Sequence, residues 1–287
     1  MGVVNFTAPV DSYESIDASK KTTDRIALID ADRYKHVVTY RMYQKIMLEG
    51  NVYSKPLLHQ TIDEYLSNDI FNKFEAKAYV FCFSAPSGKV FRNHIAQEKK
   101  YKGHRKGEDK YFYTGKYEDM SYIYEYINQR YETLYFDDLE ADDLLSMLQG
   151  DETFIFSHDK DLKQVPGFHW DMKNLDWIYI SEQKGMRSLF TQILTGDSTD
   201  NFGGLKGFGQ VSLNKLIKEV GPDVDPTLFF YKVIKLYIDK YGLLNGVDSF
   251  SEMWNMASMK INRGDYLKEK YASAFELINT INGFENR

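Results

Sequence analysis

Apolar and polar positions along the chain follow two different rhythms. Up to about residue 181, short and nearly continuous apolar runs recur: Arg25–Asp30 (RIALID), Ala78–Phe83 (AYVFCF), Thr133–Phe136 and Thr153–Ser157 (TFIFS). Runs of this length read as strands buried on both faces. Phe168–Met172 and Trp177–Ile180 are further strand candidates. Between them lie segments of helical period. Leu58, Ile62, Leu66, Ile70 and Phe74 share one face of a helix predicted over 57–76, and Ile123 and Ile127 share one over 118–131. A helix over 139–148 is expected to end with Gly150 as its C′ residue. Strands alternating with helices predict an α/β fold built on a mostly parallel central sheet with flanking helices. Beyond Ser181 the pattern turns wholly helical, with candidates at 186–194, 210–220, 227–241, 251–261 and 267–281. Gly221-Pro222 and Tyr241-Gly242 are stop signals. The expected division is an α/β unit at 1–185, whose first 24 residues form a loosely tied extension, and an all-α unit at 186–287.

Composition narrows the class. At 287 residues and 43% hydrophobic, the chain can bury a sizeable core. No stretch has the length of a membrane span, and Met1–Lys20 lacks the basic head and apolar body of a secretory signal. The single Cys82 leaves no internal disulfide to form and fits a reducing compartment, so a cytoplasmic location, the host's if the protein is viral, is expected. The net charge of −6 argues against a non-specific coat on DNA, but it is unevenly spread. Between Lys89 and Lys116 there are nine basic residues against three acidic ones, interleaved with Phe91, Tyr101, Tyr111, Phe112, Tyr113 and Tyr117. Basic groups that track phosphates and rings that stack on bases suit single-stranded nucleic acid.

The acids form four clusters: Asp30-Ala31-Asp32, Glu140-Ala141-Asp142-Asp143, Asp159-Lys160-Asp161, and Asp197 with Asp200. Asp30 ends a strand and Asp159 and Asp161 follow one, where ligands of open α/β sheets bind. In an extended segment Asp159 and Asp161 point the same way. Acids at a helix start have a plain explanation in the helix dipole, which covers one or two of the three at 140–143. Many carboxylates converging on one point require cations, and hard oxygen ligands select Mg²⁺ or Mn²⁺. Asp197 and Asp200 lead into Gly204-Leu205-Lys206-Gly207-Phe208-Gly209, a glycine-rich hairpin between two helices. Its backbone can approach a phosphate closely.

Taken in order, LIDAD at 28–32, FR at 91–92 with YKGHR at 101–105, LEADDLLSML at 139–148, SHDKDLKQV at 157–165 and LTGDSTDNFGGLKGFG at 194–209 resemble the 5′ nuclease (flap endonuclease) family. That family comprises phage 5′-3′ exonucleases and the 5′-nuclease domain of bacterial DNA polymerase I. The resemblance spans about residues 25–220. It implies a PIN-like nuclease core, a basic arch region at about 86–117 and a C-terminal helix-hairpin-helix. It also implies two-metal hydrolysis of DNA phosphodiesters, giving 5′-phosphate and 3′-hydroxyl ends, in DNA replication or DNA degradation. Asp30, Glu140, Asp142 and Asp143 are then the neighbourhood of a first Mg²⁺ or Mn²⁺, and Asp159, Asp161, Asp197 and Asp200 that of a second. Lys102 and Arg105 are implied as catalytic contacts to the scissile phosphate. Arg92, Tyr101, Gly204, Lys206, Gly207 and Gly209 join them as DNA contacts, with Tyr101 stacking on a base and a K⁺ ion at the hairpin. The implied partner is DNA with a 5′ end or 5′ flap, or an RNA-DNA primer, met by a monomer away from membranes.

One departure stands out. The resemblance implies an Asp just after the second strand, where this chain has Phe83-Ser84-Ala85-Pro86. A water held by Ser84, or Asp32, is left to fill that place. The gap also makes a non-catalytic nucleic-acid-binding protein of the same fold a rival reading. A phosphatase with an Asp-x-Asp nucleophile at Asp30 ranks lower, because Tyr34 stands where that motif wants Thr or Val.

Overall fold

A computed structural model describes residues 21–86, 89–97, 99–103, 116–221, 224–259 and 276. Met1–Lys20, Arg105, most of the Tyr-rich run after Lys106 and all but residue 276 of the helix expected at 267–281 lie outside the described residues.

The chain enters through β1 (Lys21–Thr22) and β2 (Ile26–Asp30), then α1 (Asp32–Met47) and α2 (Lys55–Leu66). A π-helical turn (Ser67–Phe71), β3 (Phe74–Glu75), β4 (Ala78–Phe83), the short α3 (Arg92–Ile95), α4 (Lys116–Asn128) and β5 (Glu132–Tyr135) follow. Next come α5 (Ala141–Leu148), β6 (Thr153–Phe156), a 3₁₀ turn (Asp161–Gln164), β7 (Gly167–Asp171) and β8 (Asp176–Ile180). Four helices close the described chain: α6 (Glu182–Thr195), α7 (Gln210–Val220), α8 (Pro226–Tyr241) and α9 (Leu243–Ala257).

The main sheet has the order β5-β4-β2-β6-β7-β8, all neighbours parallel except the β7–β8 hairpin. β1 and β3 form a separate small parallel pair. Side chains alternate between the two faces of the main sheet. Ala27, Ile29, Phe81, Phe83, Phe154 and Phe156 join one apolar core with α1, α2 and α4, while Ile26, Leu28, Val80, Cys82 and Ile155 join another with α5. Both faces being covered explains why these strands read as unbroken apolar runs. A third core holds α6 to α9 together with Ala85, Val90 and Tyr101.

Several elements differ from the sequence expectation. α1 is a full helix where no element was predicted: Tyr34, Val38 and Met42 are buried at a spacing of four, but polar residues crowd the intervening positions. The helix expected through Ala76 stops at Leu66 and passes through the π turn into β3, although Leu58, Ile62, Leu66, Ile70 and Phe74 are all buried as the period requires. α5 ends on Gln149 in an extended conformation, and Gly150 does not adopt the left-handed C′ geometry. α9 begins at Leu243, eight residues before the expected start, directly after Gly242 at φ 82°.

Candidate active site

The three central parallel strands, β4, β2 and β6, lead at their C-terminal ends into one acid-lined cavity. It has a volume of about 230 Å³, and its walls include Asp30, Asp32, Glu140, Asp142, Asp159, Asp161 and Asp200, with Lys102, Lys160, Ser84 and Tyr101. β2 delivers Asp30, the turn after β6 delivers Asp159 and Asp161, the start of α5 delivers Glu140 and Asp142, and the α6–α7 connection delivers Asp200. Six of the eight expected metal-binding acids therefore meet there.

The other two do not line it. Asp143 is fully buried and receives a fork of hydrogen bonds from Arg92, Nη1 to Oδ2 and Nη2 to Oδ1, both at 2.9 Å. Its Oδ2 also accepts the backbone N–H of Glu140 at 3.2 Å. Both oxygens are thus engaged within the core, away from the cavity lining. Asp197 is also buried. Its Oδ2 accepts Lys160 Nζ at 3.1 Å, and its Oδ1 accepts the N–H groups of Thr199 and Asp200. Burial alone would raise its carboxyl, but the Lys160 hydrogen bond and the turn N–H groups outweigh this and hold it below its ordinary value. It shapes the turn that presents Asp200.

The expected DNA contacts divide similarly. Arg92 is 2% exposed and spends its donors on Asp143, Glu140 and the carbonyls of Met256 and Ser258. It lines the cavity but is almost wholly buried among these partners. A Phe-Arg pair read without its partners cannot show this, because the carbonyls come from far along the chain. Tyr101 is likewise no open base platform. Its ring is buried in the helical core, and only its hydroxyl reaches the cavity, donating to Glu140 Oε2 at 2.6 Å and Asp200 Oδ2 at 3.1 Å. Lys102 does face the cavity, with Nζ 2.6 Å from Glu140 Oε1 and 3.5 Å from Asp200 Oδ1. Asp159 and Asp161 are not in an extended segment: the Asp161 N–H donates to Asp159 Oδ1 as the 3₁₀ turn opens.

The glycine hairpin spans the α6–α7 connection. Gly204 has φ 64° and packs so tightly on Gly196 that a Cβ would lie 2.3 Å from its backbone nitrogen. Gly207 has φ 82° and, like Gly209, faces open space. Gly209 is the N-cap of α7, whose first turn carries no acid, and Lys206 is exposed beside it.

The electrostatics favour a cation. Burial first, then the neighbouring Asp32, raise the Asp30 carboxyl to about 7, despite hydrogen bonds from Ser157 and the Asp32 N–H. Burial, then Asp30, Asp159, Glu140 and Asp143, push Asp142 well above the ordinary carboxylate range. Burial and Asp159 raise Asp161 to about 6. Glu140 is the exception, held low because Arg92 and Lys102 outweigh its burial. Acids that hinder one another's ionisation in this way are stabilised by a multivalent cation, and an all-oxygen donor set suits Mg²⁺ or Mn²⁺. The donor chemistry thus fits. As the side chains stand, no three acidic, His or Cys groups among the described residues are arranged to hold a metal ion.

No protein-family model matches the chain, and no curated protein matches it in sequence. Solved structures do match. A bacteriophage T5 protein crystallised with metal ions aligns with a TM-score of 0.56 at 14% identity, over 90% of this chain and 98% of that one. The bacteriophage T5 flap endonuclease, as a pseudo-enzyme–product complex with DNA and metal ions, aligns at 0.55 and 15%, over 92% and 100%. A mutant T5 5′-exonuclease aligns at 0.52 and 12%, over 90% and 98%. The chain has the 5′-nuclease fold. The fold and the family likeness expected from the motifs are therefore met, at an identity where sequence comparison alone is silent. Among the described residues, no helix of this 5′-nuclease fold is long and apolar enough to cross a membrane.

Proposed function

We propose that the protein is a metal-dependent 5′ nuclease that hydrolyses DNA phosphodiesters, leaving a 5′-phosphate and a 3′-hydroxyl. The observation that carries this reading is the cavity at the strand ends, where Asp30, Asp142 and Asp161 are each raised by burial and by neighbouring acids. Two divalent ions held there would activate a water and stabilise the leaving oxygen. Asp30, Glu140 and Asp142 are the proposed donors on one side, and Asp159, Asp161 and Asp200 on the other. Tyr101 orients Glu140 and Asp200 through its hydroxyl. Lys102, at the same wall, is the cation placed to meet a phosphate oxygen. The backbone N–H groups of Gly207, Gly209 and the start of α7, with Lys206, are proposed to grip duplex backbone, so that DNA shape rather than base identity selects the substrate. The T5 flap endonuclease complex with DNA and metal ions supports a DNA substrate.

A gel assay with a 5′-flap, a nicked duplex and a single strand, each in Mg²⁺, Mn²⁺ or EDTA, tests this. Cleavage in a metal and not in EDTA is expected, with Asp142→Asn inactive. The second reading, a nucleic-acid-binding protein without catalysis, draws on Glu140 being already satisfied by Arg92, Tyr101 and Lys102. It predicts salt-sensitive DNA binding with no cleavage in either metal.

A further inference from the structure

Of the three strands whose C-terminal ends reach the cavity, β2 and β6 lead into acids and β4 does not. β2 ends in Asp30, α5 begins with Glu140 and Asp142, and the turn after β6 carries Asp159 and Asp161. β4 lies beside β2 and ends at the same wall, yet it contributes Ser84 and no carboxylate. The Ser84 hydroxyl is engaged elsewhere, since its Oγ accepts the Ala141 N–H at 2.8 Å and so ties down the first turn of α5.

The parallel register shows what stands opposite. Asp30 is the Cα partner of Cys82, and the Ala31 N–H continues the ladder to the Cys82 carbonyl at 2.9 Å. Two residues further on each side, Asp32 and Ser84 face one another, and Asp32 Oδ1 accepts the Ser84 N–H at 3.2 Å. The carboxylate of Asp32 is thus drawn toward the end of β4, in the wall of the cavity that Asp30 and Asp142 also line. A first-turn acid on α1 paired with Lys35, three residues on at 2.7 Å, has a plain reading in the helix dipole and a surface ion pair. That reading accounts for Lys35. It does not account for a carboxylate bonded to the neighbouring strand and lining the same cavity as five other aspartates.

We infer that Asp32 is a ligand, direct or through one water, of the divalent cation held by Asp30 and Asp142, occupying from β2's side the place that β4 leaves without a carboxylate. The inference rests on the metal-dependent reading above. It also gives Lys35 a role: its ammonium is the countercharge that a metal ion displaces from Asp32.

Mn²⁺ binding, followed by the loss of the free-ion electron paramagnetic resonance signal, tests this without reference to cleavage. Asp32→Asn keeps the shape and the acceptor for the Ser84 N–H, and should weaken Mn²⁺ binding at least about tenfold. Adding Ser84→Asp in the same chain should restore most of that loss, because it returns a carboxylate to the same wall from β4. Lys35→Met in the otherwise unaltered protein should tighten Mn²⁺ binding. An Asp32→Asn protein that binds Mn²⁺ like the parent overturns the inference while leaving the nuclease reading intact. Failure of Ser84→Asp to restore binding overturns it equally. A parent protein that binds no Mn²⁺ removes both. Should Asp32→Asn lose its fold, as circular dichroism in EDTA would reveal, unchanged or weaker binding by Lys35→Met overturns the inference by itself.

Discussion

Replacing Arg92 with Met should destabilise the protein by about 3–5 kcal/mol, because it leaves Asp143 buried, charged and unpaired. Adding Asp143→Asn should return a large part of that loss, since the stranded charge is then gone; urea unfolding of the two variants measures both. Arg92→Lys should not substitute, because an ammonium cannot reproduce the fork to Asp143 and still reach the carbonyls of Met256 and Ser258. Asp30 gives a second prediction, in pH. Its carboxyl rises from an ordinary 3.8 to about 7 in the folded protein, first through burial and then through Asp32. Between those values the folded state holds more protons than the unfolded one, so this contribution to stability is present at low pH and is lost as pH climbs toward 7 and beyond. In EDTA, Asp30→Asn should flatten that decline, as unfolding midpoints at pH 5 and pH 8 would show; an unchanged slope refutes the assignment. At this scale the sequence was informative about which acids gather, since six of eight reach the cavity. It could not separate Asp143 and Asp197 from the rest, because their fate depends on Arg92 and Lys160, and partnership across the fold leaves no local mark.

At the scale of elements, the α6–α7 connection holds two glycines in left-handed geometry for different reasons. Gly204→Ala drives a Cβ into the backbone of Gly196, whereas Gly207→Ala meets open space and pays only the conformational cost of about 1–2 kcal/mol. Thermal unfolding should therefore show a clearly larger loss for Gly204→Ala. DNA affinity should fall for Gly207→Ala, with a smaller loss of stability than for Gly204→Ala, if its surroundings grip a backbone. The strands were legible because burial on both faces writes itself as an unbroken apolar run, as in AYVFCF. Helix limits were less so. The stripe from Leu58 to Phe74 keeps its period straight through the π turn and into β3, so burial alone did not mark where α2 ends. α1 escaped notice because Tyr34, Val38 and Met42 form a narrow stripe among charged neighbours.

For the molecule as a whole, the cavity acids make divalent cations a stabilising ligand. Mn²⁺ at about a hundred times its Kd should add about 2.7 kcal/mol, and the rise in melting temperature should be greater at pH 8 than at pH 6, where protons compete for Asp30 and Asp161. A melting temperature indifferent to Mn²⁺ at both pH values refutes this. The Arg92 hub has a consequence for how the chain is made. Its guanidinium finds acceptors on Met256 and Ser258, 164 and 166 residues downstream. On the ribosome, the sheet's central pairing of β2 with β6 can form once residue 156 has emerged, but Arg92 must wait with Asp143 for the end of α9. A nascent chain arrested before Met256 should hold a partly hydrated charge pair beneath a loose first turn of α5. The acidic cavity would then reach its final shape only when nearly all the described chain has left the exit tunnel.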